Sequence, residues 1–384
     1  MSRSVASSCL ALILTIVSAV LASAQVAPSQ TDIAGTPQGK APVAYLYVTS
    51  SPSSGVNQIN GYAVASTGAL TALPGSPFST SGVYDIALNG GWLFGTDGNN
   101  LYSFSIAANG SLTQVDELAV VSGGGLGELF LDHTGASLYA DYYTENNEYM
   151  AYSIDNSNGL LTYIDNIMGG PGFGYTASFI GNNEYAYSSS CYHFTPSIYG
   201  LQRSSDGGIT LMNINPPFPS VPGGGFYCPF LAAADPTNHL AIAMQPLDPN
   251  WNPVGPYQLA TYTADSSGNL TTKSTYSKMP SVSVGDYITD YWMSPTGKLL
   301  AIAGPSGLQV FHFNGAYPIT TYTGLLTTNS INQVFWDNNH HLYALSGSAG
   351  LLYVFTVTEK SVTQAPGSPY SITGLENMIV LPKS

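Results

Sequence analysis

The chain has 384 residues, only 8% of them charged, with eight cations against 22 acids and a formal net charge of −14. So acidic a chain lacks the basic footprint that nucleic acid requires, and it is not drawn to anionic membrane surfaces. With 41 Gly and 27 Tyr, abundant Thr and Val, and no sustained helical stripe, the composition suits strands joined by turns.

The first 24 residues read as a secretory signal peptide: Arg3, then the apolar run "CLALILTIVSAVLA" at 9–22, then the small-residue site "ASA" at 22–24. Cleavage after Ala24 puts the mature protein in the periplasm or outside the cell. Cys9 lies too early to be a lipid-attachment cysteine beside that site. The apolar run is too short for a membrane span, and no later stretch approaches one. Without Arg3 the chain keeps seven cations against 22 acids, a net charge near −15. Residues 25–42 have no apolar periodicity and read as a flexible leader.

From residue 43 onward one unit recurs: an apolar strand, a Gly or polar turn, then an apolar residue and Thr. The copies end at Thr71 ("GYAVASTGALT"), Thr113, Thr162, Thr210, Thr271, Thr320 and Thr363, spaced 42, 49, 48, 61, 49 and 43 residues apart. A strand–turn–strand pair precedes most copies, as in "YDIALNGGWLFGT", "GELFLDHTGASLYADY" and "DYWMSPTGKLLAIAG". Each unit is therefore four antiparallel strands, a to d, with the period of a propeller blade. Seven units predict an all-β, seven-bladed propeller over residues 43–384. Two β-sandwich domains would not need seven matched copies. The N-terminal blade lacks a strand a, and the C-terminal "LENMIVLP" (375–382) is spare. Pairing it beside residues 43–49 closes the ring and buries both open edges. The near-identical loops "ALTALPGSPFS" (69–79) and "SVTQAPGSPYS" (361–371) then each lead into a strand a at neighbouring joints.

The patterns "STGALTALPGSPF", "SPTGKLLAIAG" and "DHTGASLYADY" resemble the lactonase-type seven-bladed propellers, which include 6-phosphogluconolactonase-like and muconate-cycloisomerase-like proteins. The resemblance spans the mature chain and rests on strand and turn residues. It implies the blade type, and lactone opening as one activity to weigh.

In such a meander the a–b and c–d turns share one face and the b–c and d–a loops the other. The first set is short ("NGG", "HTG", "PTN", "DNNH"), and His340 with His341 falls in one of its turns. The second set carries long insertions at 188–197, 215–229 and 245–256, all on blades four and five. Long loops on a rigid scaffold are where binding usually resides. Cys191 and Cys228 fall on that face of adjacent blades and are expected to form a disulfide, no CxxC or Cys/His cluster accompanying them. Tyr192, His193, Phe194, Phe226, Tyr227 and Trp251 crowd the same loops as a candidate surface for stacking on sugars or peptides. For each ring taken singly, packing the loop onto its blade is the plainer reading. A second candidate is the channel mouth, where the aligned strand-a positions read Asp85, Glu128, Ala177, Leu231, Asp290, Gln333 and Asn377. Acids and amides at one height suit a cation or a polyol, against the plainer reading of a hydrated funnel.

No nucleophile elbow, HExxH, P-loop or dinucleotide fingerprint occurs, so no cofactor or resident metal is expected. The sequons "NGS" (109–111) and "NLT" (269–271) coincide with the repeat's own turns. Two functions remain. One is an exported, monomeric binding module for a neutral carbohydrate-like ligand or a protein surface. The other is a lactonase-type hydrolase. Lys278 is the only cation clearly on a decorated-face loop, Arg203 lying further out in blade four. An anionic lactone is thus unsupported, and hydrolysis would concern a neutral sugar lactone, with His193 as general base and Glu128 as its partner.

Overall fold

A computed structural model describes residues 41–383 except 52–56, 81, 121–124, 144–147, 169–175 and 193–194. The expected signal peptide and nearly all of the leader lie outside the described residues.

Short turns place consecutive strands side by side, so each repeat folds into its own antiparallel meander. Blade two runs a to d as Asp85–Leu88, Trp92–Thr96, Asn100–Ile106 and Leu112–Ala119. Blade three is Gly125–Leu131, Ser137–Tyr143, Glu148–Ile154 and Leu161–Met168. Blade four is Ser178–Phe179, Tyr185–Tyr192, Thr195–Arg203 and Ile209–Leu211. Blade five is Phe226–Ala234, His239–Leu247, Gln258–Ala264 and Leu270–Thr271. Blade six is Asp290–Met293, Leu299–Gly304, Gly307–His312 and Thr320–Thr321. Blade seven is Gln333–Trp336, His341–Ser346, Leu351–Val357 and Val362–Gln364. In blade one, Ala44–Ser50, Gln58–Val64 and Leu70–Ala72 take their missing strand a from Leu375–Pro382. The protein is a seven-bladed propeller closed by its own C-terminus. Ala44 pairs with Pro382 and Ser50 with Leu375, and Leu375, Met378 and Val380 enter the core shared with blade seven.

The repeat's conserved-looking spelling has a packing cause at the c–d turn. Gly110 has φ +85°, and a Cβ there would lie 2.8 Å from Leu73 and 3.0 Å from Tyr45 of the preceding blade. Its carbonyl accepts from the Tyr47 hydroxyl at 2.8 Å. Gly268 repeats the arrangement, with φ +78°, Tyr185 and Met212 at its α-carbon, and the Tyr187 hydroxyl on its carbonyl at 2.8 Å. Positive φ and the absence of space both require glycine. The turn that punctuates one blade is thereby the contact that docks it on its neighbour.

The two matching Pro-rich loops are breaks inside strand d as well as lead-ins to the next blade. Leu70–Ala72 and Phe78–Ser79 both pair with strand c of blade one. Val362–Gln364 and Tyr370–Ser371 do the same in blade seven. At each break a serine hydroxyl stands in for the lost strand carbonyl: Ser76 Oγ accepts from Gly61 N–H and Ser368 Oγ from Val354 N–H, both at 2.9 Å. Ser274 and Thr323 do likewise for Thr261 and Val310 in blades five and six. The inner strand keeps its donor satisfied while the outer edge is interrupted, which blunts edge-to-edge pairing.

One expectation is corrected. Residues 188–197, read above as a long loop, are mostly strand: Ser188 pairs with Tyr199, Cys191 with Pro196 and Tyr192 with Thr195. Ser188, Ser189 and Ser190 are buried in the hairpin despite their polarity, which in the sequence alone reads as loop.

Candidate functional site

The disulfide is present. Cys191, near the end of strand b in blade four, is bonded to Cys228 in strand a of blade five, with Cα atoms 5.3 Å apart. The aromatic cluster around it divides. Phe226 and Trp251 form an edge-to-face pair, centroids 4.2 Å apart, both half-buried. Asp248 builds the turn that presents Trp251, accepting from Asn250 N–H at 2.8 Å and Asn252 N–H at 2.9 Å, and Trp251 adopts φ +70° there. Tyr227 points the other way. It is fully buried in the core of blades four and five, and its hydroxyl donates to Gln258 Oε1 at 2.5 Å. Alternation along the strand forces this: with Phe226 outward, Tyr227 must face the blade interior. Tyr227 is wall, not surface. His193, Phe194 and the Tyr192 side chain lie outside the described residues.

The channel residues do converge, for a reason the sequence did not disclose. Strand a is the innermost strand of each blade, and its inner edge has no ladder partner. Side chains of the preceding blade supply one. Asp85 Oδ2 accepts from Leu129 N–H at 2.6 Å, Ser178 Oγ from Ala234 N–H at 2.9 Å and Asp290 Oδ2 from Val334 N–H at 2.7 Å. Gln333 Oε1 accepts from Met378 N–H at 2.5 Å, and the Asn377 side-chain amide donates to Asp85. These groups staple blade to blade around the ring. The acids and amides at one height are therefore first a structural belt, and the sequence signal for it is the polar residue that opens strand a in blades two, four, six and seven.

Charge accumulates on that belt. Burial pushes the Asp85 carboxyl well above the usual carboxylate range, with the charge of Glu128 adding to it, against the opposing bonds from Leu129, Ile86 and Asn377. Burial does the same to Asp290, against the bonds from Val334 and Tyr291, with Glu128 and Asp85 adding. Glu128 is exposed, and its upward push, also from burial, is weaker, as access to channel water requires. The charge of Glu128 thus reaches both Asp85 and Asp290. The exposed Glu128 carboxyl accepts from the backbone of Thr176, which leads into blade four, and Asn377 Oδ1 is buried without a hydrogen-bond partner. Among the described residues no group of His, Cys, Asp and Glu has the geometry to hold a metal ion.

A raised carboxyl pKa has a defined linkage. The folded state holds its proton at a pH where the unfolded chain has lost it, so stability falls as pH rises from the unfolded pKa through the folded one. Glu128→Gln mimics the protonated form. Its denaturant midpoint should match the parent near pH 4 and exceed it at pH 8; a variant equal or weaker at pH 8 would show that Glu128 carries no such penalty.

No family model matches the chain, and no curated protein sequence does. Solved structures match closely in shape. A candidate 6-phosphogluconolactonase from Bacteroides fragilis superposes with a TM-score of 0.65 at 13% identity, over 88% of this chain and 97% of that one. A protein from Lactobacillus plantarum gives 0.64 at 13%, over 88% and 99%. A candidate 6-phosphogluconolactonase from Bacteroides uniformis gives 0.64 at 12%, over 89% and 100%. At such identities the match speaks for the fold. The lactonase-type seven-bladed propeller inferred from the turn motifs fits these neighbours.

Proposed function

We propose that this protein binds a neutral, hydroxyl-rich small molecule, a sugar or sugar lactone, at the channel mouth, and that it does so outside the cytoplasm. The observation that carries the reading is the composition of the belt. Carboxyls driven toward protonation can donate as well as accept, as amides do, and sugar hydroxyls call for both. No lysine, arginine or histidine occupies the aligned strand-a level, so a phosphorylated or carboxylated ligand would meet acids and no counter-charge. The Cys191–Cys228 bond supports export, since such bonds persist in oxidising compartments. The leader sequence agrees.

A second reading is favoured by Glu128 itself. A water-accessible carboxylate with a raised pKa is suited to draw a proton from water attacking a lactone carbonyl. The fold neighbours described as candidate 6-phosphogluconolactonases point to the same class of bond, though to a charged substrate that this belt does not suit. One experiment separates the readings: thermal shift of the mature protein with neutral sugars and D-glucono-1,5-lactone, alongside lactone consumption above the spontaneous rate. Saturable stabilisation without turnover selects the binding module. Turnover that Glu128→Gln removes selects the hydrolase. If no neutral sugar or lactone stabilises the protein, the proposal is overturned.

A further inference from the structure

The geometry points to a stacking platform for a single sugar ring inside the channel, made by Trp292 and Phe335 of blades six and seven. This rests on the channel-mouth reading above and adds the part of the ligand that the belt cannot grip. Trp292 stands two residues beyond Asp290 on the innermost strand of blade six. At the aligned position, Ala87, Phe130, Phe179 and Ala233 are buried, while Trp292 is 43% exposed. An exposed indole on an innermost strand has the channel as its source of solvent. Alternation puts Asp290 and Trp292 on one side of the strand, and their contacts agree: Asp290 reaches Val334 N–H and Trp292 lies against Phe335, both of blade seven.

The platform is held before any ligand arrives. The Trp292 and Phe335 rings are tilted at 50° with centroids 4.6 Å apart. The Trp292 carbonyl accepts from the Trp336 indole N–H at 3.0 Å. The tilted pair leaves Trp292 43% exposed, and a fixed ring loses little entropy on binding. Residues i and i+2 of a strand lie about 6.6 Å apart, close to the breadth of one pyranose ring. A ring seated on the indole by its C–H face would thus reach the Asp290 carboxyl with its hydroxyls. Uncompensated carboxyls beside the site disfavour an anionic ring. An acyclic polyol has the hydroxyls but no flat face to stack.

The test uses methyl β-D-glucopyranoside, D-glucono-1,5-lactone and acyclic sorbitol as probes, with affinity read by thermal shift and by tryptophan emission. The cyclic probes should bind at least about tenfold more tightly than sorbitol, and Trp292→Ala should lose about tenfold, the scale of one aromatic contact. Trp292→Phe should bind within about threefold of the parent yet lose the ligand-induced change in emission. If the parent binds no probe, the channel reading and this one fall together. If it binds sugars equally well in Trp292→Ala, or if the emission change persists in Trp292→Phe, the platform is wrong and the belt reading stands.

Discussion

Deleting residues 375–384 is expected to abolish cooperative folding, not merely to lower the unfolding midpoint. Those residues carry strand a of blade one. Leu375, Met378, Val380 and Leu381 are each at least nine-tenths buried, and burying four such side chains contributes roughly 6–12 kcal/mol. A folded domain has about 5–15 kcal/mol in total. Deletion also strips the ladder partner from Ala44–Ser50 and the donating Asn377 amide from Asp85. The truncated chain should lack a sharp denaturant transition and expose apolar surface to a dye. A synthetic peptide spanning 373–384 should restore both. A truncated protein that unfolds cooperatively near the parent midpoint would mean that the ring holds without its closing strand.

Asp337→Ala should destabilise the protein by about 3–5 kcal/mol, the range for removing one partner of a buried charged network. Asp337 sits in the a–b turn of blade seven, 1% exposed. Its Oδ1 accepts from Asn339 N–H at 2.7 Å and His341 N–H at 2.9 Å, and its Oδ2 from His341 Nδ1 at 2.7 Å and the Tyr343 hydroxyl at 3.0 Å. His341 is wholly buried, beside Gly68 and Ala365 at the seam where blade seven meets blade one. Without the carboxylate, four donors lose their acceptor at the joint that closes the ring. The equivalent pair in blade five, Asp235 and His239, is 3.1 Å apart and partly exposed. Solvent replaces lost bonds there, so Asp235→Ala should lose appreciably less. Denaturant midpoints at unchanged slope are the measure. Equal losses at both sites would remove the seam's special status.

The seam network is legible in the sequence. "DPTNH" and "DNNHH" share an Asp and a His four residues apart in aligned a–b turns. From the sequence, His340 and His341 read only as lying opposite the decorated face. The disulfide was legible because two lone cysteines on adjacent blades of an exported chain have few other uses. Tyr227 was not, because its neighbour Phe226 is equally aromatic and only the strand's phase decides which of them faces out. Trp292 was missed for a related reason: an aromatic in an innermost strand reads as core unless the depth of the channel beside it is known.

Period and turn chemistry are local, so the sequence by itself determined the strand unit, its seven copies and the closure of blade one by the C-terminal strand. It also determined the sparse, acidic charge, and with it the absence of a basic surface. What tertiary structure alone decided is where side chains from different blades meet. The acids at the channel mouth are distant in sequence and belong to separate repeats. Whether each is buried while stapling a neighbour's backbone, as Asp85 and Asp290 are, or stays exposed, as Glu128 does, depends on the twist and spacing of sheets that share no local signal. Inter-blade packing fixes those distances, and with them both the burial that raises the carboxyl pKa values and the exposure of Trp292.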